Sequence, residues 1–431
     1  MVRLGRQTVD DGSNPLRPFR AAYRFGGFNG LTWMTSLGTP MVLLLEQLGA
    51  SAFQVGLASS FVFTLYPLQV LATASLPRLG FRRQMVLAWS VRGLFLLVPL
   101  AIAFHAPDPP ADWMANAVVL SVFGFCVCRA FGVVAQLPWF ASVLPDEVRG
   151  RYFATEAAIT SSVGVVTLLT CAGLFAVLPP WRAFAAIYGI GIFGAFAAVW
   201  NLSRIPAGPQ PPPSPVREMG GEVLRLCLGP GLFRQYLVLT GVAAVVGSSF
   251  SAFAIYYLKS EAGIASSDIL GFTAAQFGGQ IVGTWAMRRW IDRVLIRRFF
   301  QLAQAILALV FAYWLGIVSG HTGWLAAVPL AFAVAGIALG ISNAAHFTFV
   351  PELAPAEKRP VALAIFGAAA GILQGVAPML WGLLLRAPGD APGVDPTAFA
   401  VFFTAGIALC AVAFWLLQGL PDVRRTMVGR G

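Results

Sequence analysis

Twelve apolar runs, each of roughly 18 to 28 residues, follow one another along the chain, separated by short polar segments that hold most of the charge. They fall near residues 22–45, 53–75, 84–105, 114–140, 153–178, 182–203, 236–258, 268–286, 299–318, 323–350, 361–385 and 396–419. As a helix, about 20 apolar residues rise through some 30 Å, the thickness of a bilayer's hydrocarbon core. Lipid offers backbone amides no partner, so runs of this length predict helices rather than open strands. The pattern is that of an all-α polytopic membrane protein with twelve transmembrane helices.

The longest interruption, residues 204–235, contains the proline run "PQPPPSP", which cannot continue a helix. The "VREMGGEVLRLCL" that follows reads as a short amphipathic surface helix, weakened by its two glycines. The linker divides the chain into an N-terminal six-helix half (1–203) and a C-terminal six-helix half (236–431).

Composition agrees with the pattern: of 431 residues, 58% are hydrophobic and only 11% charged, too few charges to wet a soluble surface of this size. The net charge of +11 would suggest nucleic acid in a soluble protein, but no continuous basic face is present and no nucleic-acid partner is expected. The basic residues gather instead between spans. With the N-terminus inside, inner segments hold 24 Lys and Arg and outer segments three, so both termini are expected in the cytoplasm. A multi-pass protein of a bacterial inner (plasma) membrane is the expected setting, with the first run retained as a helix rather than cleaved. The five cysteines form no CxxC pair and read as packing residues; no metal or cofactor is expected.

The two halves echo each other. "PRLGFRR" (77–83) follows the second run and "DRVLIRR" (292–298) follows the eighth, with Arg78, Arg82 and Arg83 in register with Arg293, Arg297 and Arg298. "LPDEVRGRYFATEAA" after the fourth run is echoed by "VPELAPAEKRPVALAIFGAAA" after the tenth. Matching inner loops in a 6+6 chain point to a parallel internal repeat.

These features together resemble the major facilitator superfamily of secondary transporters, over essentially the whole chain. That family's G-x-x-x-D-R-x-G-R-R loop is partial in each copy here. The first keeps Arg78, Gly80, Arg82 and Arg83 but has Pro77 at the aspartate position; the second keeps Asp292, Arg293, Arg297 and Arg298 but has Leu295 at the glycine. Thr73 and Arg288 stand in place of the leading glycine. "PDEVRGRY" is similar to the family's loop after span four. The resemblance implies a rocker-switch carrier with a cavity between the halves, lined by spans one, four, seven and ten. It also implies that Asp292 latches the inner side near Arg149 and Arg151, a latch Pro77 cannot duplicate.

Charges inside spans are costly and point to function. Arg129 lies near the middle of span four, with Gln136 seven residues on along the same face; the pair is expected to anchor substrate, the bland reading being a clamp between helices. Arg92 lies two turns inside span three and Glu156 just inside span five; the two are candidate partners, and Glu156 a candidate gate or protonation site. Neutral polar residues on the lining spans complete the cavity candidates: Asn29 and Trp33 on span one, Ser248 and Tyr256 on span seven, Gln276 and Gln280 on span eight, Asn343 and His346 on span ten. Each alone is more often an interhelical hydrogen bond. Gly367, Gly371 and Gly375, spaced by four on span eleven, predict close helix packing.

No Asp or Glu stands at the centre of any span, which tilts the expected substrate toward small anionic or neutral solutes. A coupling proton or ion is a further candidate partner, the bilayer a certain one, and the carrier is expected to be monomeric. No GxxxxGK[ST], HExxH or GxSxG occurs, so nucleotide-driven pumping and hydrolysis lack support and the chain is not expected to be an enzyme. The alternative is a membrane protein of the same fold that assembles or senses without net transport.

Overall fold

The structure is a computed structural model that describes residues 19–105, 110–144, 146–209, 229, 231–290, 295–349, 359–385 and 396–419. Among these residues the chain is helical with no strand. The first ten helices are α1 (Arg20–Ser36), α2 (Thr39–Gln47), α3 (Ala52–Thr64), α4 (Tyr66–Ala72), α5 (Leu76–Leu79), α6 (Phe81–Leu94), α7 (Leu97–His105), α8 (Trp113–Val143), α9 (Asp146–Val177) and α10 (Pro180–Leu202). The remaining six are α11 (Leu232–Ser260), α12 (Ser266–Trp290), α13 (Ile296–Val318), α14 (Val328–Phe349), α15 (Arg359–Leu384) and α16 (Pro396–Leu416).

Among the described residues, eight stretches are helical, long and apolar enough to cross a membrane, and nine if the bent pair Ala52–Gln69 and Thr73–Leu79, meeting at 47°, counts as one. Three apolar runs are not single unbroken helices, the third being interrupted at Phe95–Leu96 between α6 and α7. The first breaks between α1 and α2 at Gly38, whose φ of 83° is left-handed and costly for any other residue. The second breaks at Leu65, two residues before Pro67, which has no backbone N–H to donate to the preceding turn. Ser51 opens α3 with a reciprocal capping box: its hydroxyl accepts from the Gln54 N–H, and the Gln54 side-chain oxygen accepts from the Ser51 N–H at 2.8 Å.

Packing repeats between the N-terminal set (α1–α10) and the C-terminal set (α11–α16). In the first, α1 packs on α9 and α10, α8 on α3 and α6, and α10 on α6 and α7. In the second, α11 packs on α15 and α16, α14 on α12 and α13, and α16 on α13. The sets meet through two equivalent contacts, α3 on α15 and α9 on α12, with α2 against α11 between them.

Large apolar side chains cover the outside: Leu120, Val166, Phe193, Phe196, Leu309 and Leu330 are all more than 60% exposed. A water-facing surface rarely carries so much contiguous apolar area, whereas a lipid-facing one requires it. Buried apolar residues form two clusters. One joins both sets around the turn Leu48–Ala50, reaching Leu44, Val55, Ile102 and Phe184 on one side and Phe253, Leu258, Ile269 and Phe399 on the other, and runs on through the C-terminal set to Tyr236, Phe300 and Phe349. The second belongs to the N-terminal set alone, at the opposite end, and holds Phe25, Phe81, Trp89, Trp139 and Tyr152. The sets therefore share a buried apolar core at the end that carries Leu48–Ala50.

Glycines set the closest approaches. A Cβ on Gly336 or Gly340 of α14 would collide with the carbonyl oxygens of Gln276 and Gln280 on α12. A Cβ on Gly279 or Gly283 would collide in turn with the carbonyls of Ala333 and Ile337. Two small-x-x-x-small pairs thus face each other, and backbone meets backbone. Across the sets, Gly56 of α3 meets the Pro378 carbonyl, while Gly375 and Gly371 of α15 meet Thr64 and the Tyr66 ring. Two of the three glycines singled out on the eleventh run therefore make close contacts between the sets; the surroundings of Gly367 lie outside the described side chains.

Candidate functional site

Arg129 lies on α8 beside the break between α3 and α4. Its Nη1 donates to the Val62 carbonyl at 3.0 Å, one turn before that break. Its guanidinium carbon lies 4.9 Å from the centre of the Trp33 ring and 5.6 Å from that of Tyr66. A guanidinium has five N–H donors and no acceptor, so this one bond leaves four donors over. The charge is half-buried, and among the described residues no carboxylate pairs with it.

Arg92 lies deeper, 1% exposed, on α6. Its Nη2 donates to Asn29 Oδ1 at 2.8 Å, and its carbon sits 4.4 Å from the Trp89 ring centre and 4.8 Å from that of Phe125. Trp89 Nε1 donates to the same Asn29 oxygen at 2.9 Å. Arg92 Nε is buried without a partner. The two guanidinium groups are near enough to repel each other. Two like charges in one apolar half, neither facing a described carboxylate, are costly to stability and are retained where charge is used.

Glu156 is not the partner of Arg92. Its side chain packs against α1, where a Cβ on Gly26 would lie 3.3 Å from its Oε1, and it makes no hydrogen bond or ion pair among the described residues. Beside it, Tyr23 and Tyr152 stack at 4.8 Å with both hydroxyls buried and unpartnered. Arg92 takes an amide acceptor from α1 instead of an acid from α9, with Trp89 and Arg92 of α6 both turned to Asn29.

The structure brings Asn29, Trp33, Arg92 and Arg129 together. Gln136 is half-buried two turns along α8, without a hydrogen bond. On the C-terminal set the candidates are dispersed. Ser248 bonds back to the Ala244 carbonyl. Gln276 is 3% exposed and joined to Ser251 of α11 at 2.9 Å. Gln280 is half-buried against α14, and Asn343 is exposed. His346 Nδ1 shares a hydrogen bond with the Tyr236 hydroxyl, its ring centre 4.8 Å from that of Phe300. Tyr256 sits where the sets close, its hydroxyl on the Ala50 carbonyl. Of the loop residues, Arg78 is exposed at the end of α5 and Arg82 half-buried at the start of α6. Asp292 and Arg293, and the side chain of Arg149, lie outside the described residues.

Tyr66 and the Val62 carbonyl were not among the candidates. Tyr66-Pro67 inside an apolar run is a helix-break signal, and a break bares carbonyls that a nearby arginine can take.

Residues 236–428 match the family model described as Major Facilitator Superfamily. No curated protein matches the chain in sequence. Among solved structures, a mutant of the nucleoside transporter NupG superposes with a TM-score of 0.74 at 12% identity, covering 93% of this chain and 100% of its own. A bacterial homologue of the iron transporter ferroportin, in an inward-facing state, gives 0.71 at 12% identity over 95% of this chain and 99% of its own. The xylose transporter XylE from E. coli, inward open, gives 0.68 at 14% identity over 93% and 96%. Such identities carry the fold, not the substrate. The C-terminal portion of the chain thus matches the Major Facilitator Superfamily model, and nearly the whole chain has the fold of these transporters.

Proposed function

We propose that the protein is a secondary carrier that moves a small anionic or neutral solute by alternating access. In this reading the sixteen helices make twelve spans: α1 with α2, α3 with α4 and α5, and α6 with α7 each count as one broken span. Both termini lie in the cytoplasm of a bacterial inner membrane, as the distribution of Lys and Arg suggests. The end at which the sets share a core is then the outer one, and the opposite end opens inward in this reading. Rocking of one repeat against the other would expose the same site to each side in turn.

One observation carries the reading. Arg129, flanked by Trp33 and Tyr66, retains unspent donors near the middle of the membrane, and no described acid neutralises it. A purely structural arginine at that depth would be expected to fill its hydrogen-bonding capacity. Tyr66 also touches Gly371 of the opposite set, so whatever occupies the Arg129 site lies one side chain from the moving interface. Glu156, with the two unpartnered phenols beside it, is the candidate for a coupling proton, and Asp292 with Arg149 for an inner latch.

A solute screen in proteoliposomes under an imposed pH gradient tests the reading. Accumulation of at least one small anion or neutral solute above protein-free vesicles is expected. If no solute separates loaded from empty vesicles, the protein is not a carrier and the assembly or sensing alternative takes its place.

A further inference from the structure

The Arg129 site has a polarity that follows from how Asn29 is held. An amide side chain can present either an oxygen or an NH2 group, and which one faces outward is normally open. At Asn29 the choice is made by its neighbours. Oδ1 receives the Trp89 indole N–H at 2.9 Å and an Arg92 N–H at 2.8 Å. Indole nitrogen and guanidinium are obligate donors, so neither could face the NH2 group of the amide. Nδ2 therefore points away from Arg92 and has no partner among the described residues.

The same holds for the side chains around it. Trp33, one turn along α1 from Asn29, has only an N–H to offer, and no described group accepts it. Arg129, whose carbon lies 4.9 Å from the Trp33 ring centre, has four N–H groups left after its bond to Val62. The Tyr66 hydroxyl can turn either way. Arg92 is too deeply buried to touch a ligand, but it adds a second positive charge behind the wall and holds the amide in its donor orientation.

We propose that this wall of the N-terminal set is a donor-only site for the anionic group of the solute: a carboxylate, phosphate or sulfonate, whose oxygens only accept. A cationic group would meet two positive charges and no acceptor other than the Tyr66 hydroxyl. A polyol could accept from the wall but would leave its own hydroxyl hydrogens unsatisfied there. Trp33 and Tyr66 flank the guanidinium, so the anion approaches along its edge, in the geometry that allows paired N–H bonds to two oxygens. Arg92 is a positioning residue for Asn29, and Asn29 and Arg129 are the groups that touch the ligand. This inference rests on the carrier reading of the same site and narrows its substrate to anions.

Ionic quenching of tryptophan emission tests the polarity without any flux. The Trp33 contribution is the difference between the wild-type protein and Trp33→Phe, both purified in detergent, titrated with iodide and with caesium. Iodide is expected to quench the Trp33 component about fivefold more efficiently than caesium, the order of attraction of one nearby charge in a wet site. Arg129→Gln and Asn29→Asp should each bring the ratio close to one; Asn29→Asp keeps both bonds to Oδ1 and so preserves folding. Equal quenching by the two ions in the wild-type protein, a ratio untouched by both substitutions, or no quenching of Trp33 by either ion would overturn the proposal. Absence of flux in vesicles with iodide selectivity intact would instead overturn the carrier reading alone.

Discussion

Tyr256 of α11 donates its hydroxyl to the carbonyl of Ala50 at 3.3 Å, and so ties the C-terminal set to the turn that follows α2. Thr39 and Thr273 join the same two sets at 2.9 Å. These polar contacts sit on the shared apolar cluster at the closed end. A carrier that alternates must break them, so each can contribute only modestly, about 1 kcal/mol for a neutral hydrogen bond.

Removing two of these contacts should shift the population toward the state open at that end. Spin labels at Gly49 and Glu261 in Tyr256→Phe/Thr39→Val are expected to show a longer, broader distance distribution than in the parent, with thermal stability lowered only slightly. A distribution identical to the parent would mean that the apolar cluster alone holds that end shut.

The glycine pairs between α12 and α14 predict a sharp contrast between neighbours. Gly279→Ala drives a methyl into the Ala333 carbonyl, whereas a Cβ at Gly278 meets nothing within 4 Å. The first should cost on the order of 1–3 kcal/mol or more, and the second should fall within about 1 kcal/mol of the parent. Thermal unfolding in one detergent compares them directly; equal effects would contradict the backbone-to-backbone contact.

Asn29 should matter for folding as well as for binding. Asn29→Ala removes the shared acceptor of Trp89 and Arg92 and leaves a buried charge unpaired, a loss of about 3–5 kcal/mol. Asn29→Asp supplies an acceptor of the same shape and should unfold near the parent temperature. If alanine is tolerated as well as aspartate, the buried network is not what holds α1 to α6.

The sequence made the helices legible but not their interruptions. Apolar length alone places a helix over each run, since lipid allows no other backbone state. It does not reveal that the first run breaks at Gly38, and Tyr66-Pro67 signals a break in the second without deciding it, because glycine and proline also occur inside intact membrane helices. Arg129 stood out as a charge in an apolar run. Of its neighbours, Trp33 stood out with Asn29 on one face of span one, whereas Tyr66 and Val62 did not, because they are ordinary residues of such runs that only the packing of α3 and α4 against α8 brings to the arginine. Arg92 shows the limit best. Charge arithmetic offered Glu156 as its partner, while the fold supplies a neutral amide, which charge arithmetic passes over.

The central claim is that Arg129 binds the carried solute. The most direct measurement is initial uptake of that solute into proteoliposomes by the parent, Arg129→Lys and Arg129→Gln, with each protein shown to be folded and equally inserted. The account predicts that Arg129→Gln lowers uptake by at least about tenfold, the loss of one charge-assisted hydrogen bond. Arg129→Lys should retain part of the activity with a raised KM, because the charge persists without the planar fork. Uptake by Arg129→Gln equal to that of the parent would contradict it.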